Sequence, residues 1–309
     1  MKIQVLAGLF GLCVGDALGV PVEFMPRTYL QENPVRDMIG YGTHHQPAGT
    51  WSDDSSLTFC LAESLCSGYD IYDIGNKCVQ WYHKGYWTPH GKVFDIGNTT
   101  ALALDTLCYE LIRPDLAGLT GTRSNGNGSL MRILPLAYLL KNSPFEEKVP
   151  MITAVSSITH RHMRSILACV IYVELACQLL KGFTLRESYE QMQNTVKAYY
   201  QDEPELAHFK AVLDGNIADK SEDEIHSSGY VVHTLEASLW CLFNSGTYEE
   251  AVLKAVNLGE DTDTTGAVAG GLAGLLYGIS SIPEVWINAL AGKDRIVDLA
   301  DRFTQKLLS

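Results

Sequence analysis

GEDTDTTGAVAGGLAGLLYG, residues 259–278, is the stretch on which the fold turns. Three acids open it, and then Gly266, Gly270, Gly274 and Gly278 recur every four residues in an apolar run. A spacing of four keeps residues on one helical face, so the run predicts a helix with a bare stripe that another helix can approach closely. Near the other end Gly11, Gly15 and Gly19 repeat the pattern. An interior glycine costs roughly 0.5–1 kcal/mol relative to alanine, so seven of them predict that the close approach is needed. The expectation is two helices deep in the core, packed on each other, that bring the two ends of the chain together.

Working outward, helical periodicity dominates. It predicts helices over 3–18, 53–67, 72–84, 98–112, 128–141, 149–159, 163–181, 185–200, 230–243, 247–257 and 264–278. Ser52 stands before Asp53 and Asp54 as a cap, and Ser129 lies just inside a helix that follows Gly-Asn-Gly. Alternating strand patterns are nearly absent, and no linker or repeat divides the chain. A single all-α domain spanning 1–309 is the simplest account.

Composition narrows the chemistry. Hydrophobic residues make up 46% and charged residues 19%, a globular balance. The formal net charge is −13, with 36 acidic against 23 basic residues and no Lys/Arg-rich run. That argues against a nucleic-acid backbone or an anionic membrane as partner. A phosphate-bearing ligand would have to be held by metal ions, backbone N–H groups or helix N-termini. The eight cysteines form no C-x-x-C and read as reduced core residues of a cytoplasmic protein. Two apolar segments resemble membrane sequence. The N-terminal one is interrupted by Asp16, and Thr264–Ile279 falls short of the roughly 20 residues a span needs. Both are expected to be buried helices.

Two acidic clusters carry the functional signal. Ser52-Asp53-Asp54-Ser55 and Glu260-Asp261-Thr262-Asp263-Thr264 each sit at the predicted start of an apolar helix. One acid there would cap free N–H groups and suit the helix dipole. Two adjacent carboxylates repel, and burial raises that cost unless cations are present. The clusters could together hold two hard divalent ions about 3.5–4 Å apart. No H-E-x-x-H occurs, so magnesium or manganese is favoured over zinc.

Between the clusters, Ser124-Asn125-Gly126-Asn127-Gly128-Ser129 feeds a predicted helix start. It is either an ordinary Asn-Gly turn or a cradle of N–H groups for a phosphate. Asp95-Ile96-Gly97-Asn98 is a similar loop-to-helix junction, read as a cap or as part of a site with Asn98 as a contact. Glu23, an acid amid apolar residues, is a general acid/base candidate or a surface group. His160 and Gly229-Tyr230 read as core or as ligand contacts.

Together these segments resemble the ADP-ribosylglycohydrolase family. The matching pieces are GDALGVPVEF, PAGTWSDDSSLTFCLAESL, VFDIGNTTALAL, GNGSLMRILPLAYL, SITH, SGYVVHTLEASLW and AVNLGEDTDTTGAVAGGLAGLLYG, in family order over most of the chain. The resemblance implies a compact orthogonal helical bundle with a binuclear metal site at Ser52, Asp53, Asp54, Asp261, Asp263 and Thr264. Family members usually carry threonine where Ser52 stands, a change that keeps the hydroxyl. It also implies catalytic acids at Glu23 and Asp95, and an ADP-ribose pocket that includes Asn125, Gly126, Asn127, Gly128, Ser129, His160, Gly229 and Tyr230. The implied reaction is cleavage of ADP-ribose from an acceptor, a protein arginine foremost, on an ADP-ribosylated protein or small molecule. Two other readings stay open. One is a non-catalytic ADP-ribose-binding or toxin-neutralising protein; the other is a metal phosphohydrolase acting on the pyrophosphate.

Overall fold

A computed structural model describes all residues 1–309 and contains fifteen α-helices. In chain order they are α1 (Lys2–Gly19), α2 (Arg27–Glu32), α3 (Asp53–Leu65), α4 (Ile71–Lys84), α5 (Asn98–Tyr109), α6 (Pro135–Leu140), α7 (Phe145–Ser156), α8 (Met163–Leu180), α9 (Leu185–Tyr199), α10 (Lys210–Leu213), α11 (Val231–Phe243), α12 (Tyr248–Asn257), α13 (Thr262–Tyr277), α14 (Glu284–Ala289) and α15 (Lys293–Leu308). Extended backbone pairs only at two isolated bridges, Leu119 with His160 and Gly126 with Tyr230. The fold is all-α.

Helices α1 and α13 run antiparallel with their backbones in contact, as the glycine spacing predicts. A Cβ placed on Gly15 would lie 2.0 Å from the Gly266 carbonyl oxygen, and one on Gly11 2.4 Å from that of Gly270. At the end of the stripe a Cβ on Gly19 would lie 2.3 Å from the Asp263 Cα. Gly278 is the exception. It ends α13 with φ 83° in open space, so it serves the helix terminus rather than the packing. Gly15→Ala should lower stability by about 3 kcal/mol, since rigid backbone must give way to a methyl group. An unchanged urea midpoint in that variant would contradict the packing.

Three expectations need correction. The helix expected over 128–141 begins only at Pro135; proline fixes the first turn, and residues 128–132 form turns instead. The one expected over 149–159 starts at Phe145, with Glu146 and Glu147 in its first turn, and carries Pro150 inside. Helix α15 was not anticipated, although Ile296, Leu299, Ala300 and Phe303 are buried at helical spacing.

The cysteines are all unpaired; six are buried, but Cys66 is half-buried and Cys108 exposed. Two segments are long and apolar enough to cross a membrane, Lys2–Val22 and Met163–Leu180, yet 94% and 89% of their most apolar windows lie inside the fold. They are core helices here.

Candidate active site

Helix α1 braces both acidic clusters, which stand at the starts of α3 and α13. Its C-terminal turn adjoins the start of α13, and Asp16, fully buried in it, reaches the start of α3. The Asp16 carboxylate accepts from the Ser52 amide (2.9 Å), the Ser55 amide (3.0 Å) and the Ser55 hydroxyl (2.5 Å). This carboxylate therefore caps α3 from outside and fixes where Asp53 and Asp54 stand. Sequence reasoning used Asp16 only as an interruption of an apolar run. An acid in the last turn of a helix whose neighbouring residues are all buried was the available signal.

The two clusters meet. Thr264 Oγ1 donates to Asp54 Oδ2 at 3.3 Å across 210 residues of sequence, and Ser52 Oγ donates to the same oxygen at 3.0 Å. Carboxylate oxygens of Glu23, Asp261 and Asp263 lie within 4.8 Å of one another. Asn127 Nδ2 donates to Asp261 Oδ2 at 2.9 Å, and the Thr264 amide to Asp263 Oδ1 at 2.9 Å. Asp54 Oδ1, Asp261 Oδ1 and Asp263 Oδ2 are buried with no hydrogen-bond partner.

Electrostatics follow from this crowding. Burial, and then the surrounding carboxylates, hold Asp53, Asp54 and Asp263 well above the usual carboxylate range. Burial also raises Asp261. Asp16 is pushed up to about 7, chiefly by burial. Glu23 is pushed up to about 10, first by burial and then by Asp95 and Asp261. Orphaned acceptors and mutual repulsion are what a hard cation would relieve, and the donor set is rich in oxygen. The residues present therefore fit a divalent metal.

Above this floor lies a cleft of about 510 Å³. Glu23, Asp53, Asp95, Asn98, Gly126, Asn127, Gly128, His160, Gly229, Asp261 and Thr264 line it, while Ser52, Asp54 and Asp263 lie buried beneath. Phe24, Asp95 and Glu260 have left-handed backbone, φ 65°, 53° and 61°, at the margins of the site. Such conformations cost non-glycine residues energy and collect at functional sites.

Some expected contacts turn elsewhere. The Asn125 side chain donates to Thr122 O and accepts from Ser165 Oγ. Ser129 is fully buried, and its hydroxyl shares a 3.0 Å hydrogen bond with that of Ser156. The Tyr230 hydroxyl accepts from Arg164 at 3.0 Å. Of the expected N–H cradle at Gly126–Ser129, the Asn127 amide is already bonded to Gly229 O at 3.1 Å and Ser129 lies buried off the cleft, which leaves the amides of Gly126 and Gly128 at its wall. Each of these residues shapes the loop through protein partners, which residue type alone did not reveal.

Other groups were missed. His44 Nε2 bonds Glu23 Oε2, and the His44 ring sits 5.3 Å from that of Phe94. Glu23, His44 and Asp95 also converge within 4.8 Å. Arg123 also lines the cleft, a basic residue that a purely amide-based phosphate site had not required. The His44 loop has no periodic signal that could have assigned it. Arg27 ties the segment after Glu23 to the chain that precedes Asp261 through the carbonyl of Leu258, and to the 222–225 turn through those of Glu222 and Ile225.

Comparison with known proteins supplies the family. The family model described as ADP-ribosylglycohydrolase matches residues 2–308. The chain is 36% identical over 294 residues to the ADP-ribosylarginine hydrolase Tri1 of Pseudomonas putida, covering 94% of this chain and 75% of that protein. It is 30% identical to the ADP-ribosyl-[dinitrogen reductase] glycohydrolase of Rhodospirillum rubrum, over 93% of this chain and 90% of that one. A solved structure titled ADP-ribosylglycohydrolase-related protein complex superimposes with a TM-score of 0.81 at 31% identity, covering 99% of this chain and 98% of that chain. Family match, identity and fold converge: this chain belongs to the ADP-ribosylglycohydrolase family.

Proposed function

We propose that this glycohydrolase hydrolyses the bond between the anomeric carbon of ADP-ribose and a guanidinium nitrogen of arginine on a modified protein. The observation that carries it is the set of unpartnered carboxylate oxygens of Asp54, Asp261 and Asp263 under an oxygen-lined cleft. The acceptor is taken from the relatives named as ADP-ribosylarginine hydrolases. Ser52, Asp53, Asp54, Asp261, Asp263 and Thr264 would hold two divalent ions, magnesium or manganese. When bound, such ions orient vicinal ribose hydroxyls and a water and stabilise developing charge.

This chain's own residues do the rest. The Gly126 and Gly128 amides, which face the cleft, take the pyrophosphate with Arg123. Glu23 and Asp95 are the two acids available to protonate the leaving nitrogen or to position the attacking water. Water adds to the sugar as the C–N bond breaks, and the products are free ADP-ribose and unmodified arginine. The unpaired cysteines suit a reducing, cytoplasmic setting.

Incubation with an ADP-ribosylarginine peptide and Mg²⁺ or Mn²⁺, followed by chromatography, tests the reading. Free ADP-ribose is the expected product. AMP with a ribose phosphate would replace the reading with pyrophosphate hydrolysis, and binding of ADP-ribose without turnover would make the protein a binder.

A further inference from the structure

Arg132 is fully buried, yet its guanidinium has no carboxylate partner. It donates instead to Gly128 O (2.5 Å), Thr159 Oγ1 (2.8 Å) and Val155 O (3.1 Å). Thr159 Oγ1 is in turn 2.8 Å from His160 Nδ1. The His160 backbone is pinned on both sides, its amide donating to Ser156 O and its carbonyl accepting from Ser156 Oγ. The ring stands against the Gly126–Gly128 loop and lines the cleft. A Cβ on Gly126 would come 3.5 Å from Nε2, and one on Gly128 2.9 Å from Cε1.

Counting protons along this chain fixes the tautomer. Arg132 can only donate, so Thr159 Oγ1 must accept from it. The threonine hydroxyl then has one proton to give, and His160 Nδ1 is the acceptor within reach. A protonated Nδ1 would meet the hydroxyl donor to donor, or leave that hydroxyl proton without an acceptor in a buried place. We propose that Arg132 and Thr159 are positioning residues that fix His160 as the neutral, Nε2-protonated tautomer, presenting an N–H donor to an anionic or carbonyl oxygen of the ligand in the cleft. Burial, and then Arg132, also push the His160 pKa down to about 3, so the ring stays neutral at physiological pH. The glycines at 126 and 128 leave room for that N–H edge.

The identity of the ligand rests on the function proposed above; the tautomer does not. The test is long-range ¹H–¹⁵N NMR on the full-length, ¹⁵N-histidine-labelled protein without ligand, with His160→Gln to assign the signals. The wild type should show a bare Nδ1 and a protonated Nε2. Thr159→Val should populate the other tautomer, and Thr159→Ser should restore the single form. Arg132→Lys, which loses the fork, should also mix the two; if that variant does not fold, the threonine pair decides. A wild-type ring protonated at Nδ1 or at both nitrogens, or an unchanged tautomer in Thr159→Val, would overturn the proposal. In a parallel ADP-ribose titration Thr159→Val should bind about tenfold more weakly. Absence of ADP-ribose binding by the wild type would count against the functional reading and leave the tautomer result standing.

Discussion

Asp263→Asn should lower the rate of ADP-ribose release by about 10³-fold or more, equivalent to about 4 kcal/mol of lost transition-state stabilisation. The same change should make the metal-free protein more stable. Asp263 is fully buried, and its Oδ2 has no donor. Its carboxylate faces Glu23, Asp95, Asp54 and Asp261, all of which raise its pKa behind the effect of burial. An asparagine can keep the bond from the Thr264 amide through its carbonyl oxygen, now at 2.9 Å, and it removes one negative charge. It also offers an N–H₂ to neighbours that only accept. The melting temperature in chelator should therefore rise by about 2 °C or more. Activity assays and thermal melts on one preparation check both halves. Wild-type activity in the variant would sink the assignment of Asp263 to the reaction, and a lower melting temperature in chelator would sink the account of repulsion.

The second large effect is a divalent cation's control of stability, and it should depend on pH. Glu23 is raised from 4.5 to about 10 and Asp16 from 3.8 to about 7 in the folded protein. Asp53, Asp54, Asp261 and Asp263 are shifted in the same direction. In that window the folded chain binds more protons than the unfolded one, so stability falls as pH rises. The contribution is complete below about pH 4 and is lost as pH climbs through about 7 for Asp16 and towards about 10 for Glu23. A divalent ion competes with those protons and reverses the trend. At a hundred times its dissociation constant it should add about 2.7 kcal/mol. Melts at pH 5 to 8, with EDTA and with Mg²⁺ or Mn²⁺, should show a gap that widens with pH. A metal-free stability that rises with pH, or no response to either ion, would contradict the account.

How far the sequence revealed this site depends on the kind of signal each residue carries. Gly11, Gly15, Gly266 and Gly270 could be read because their spacing has one geometric meaning, and the closeness of α1 and α13 followed from it. The paired acids could be read because adjacent buried carboxylates demand an explanation. Asp16 and Arg132 were harder, since a lone charge in an apolar run says nothing about its partner until the fold supplies Ser52 and Ser55 or Gly128 and Thr159. His44 comes from an aperiodic loop and meets Glu23 only in three dimensions. Asn125 and Ser129 show a different limit. Their positions in the loop were identified, but the direction of a side chain is set by tertiary partners rather than by residue type.

The antiparallel glycine seam between α1 and α13 also constrains the order in which the protein can be made. Both acidic clusters pack against α1, but its partner helix begins at Thr262. At about 5–20 residues per second, a ribosome needs roughly 12–50 s to cover the distance from Gly19 to that point. Through that interval a strongly apolar helix has no mate for its bare stripe. Activity can begin only when nearly the whole polypeptide has emerged.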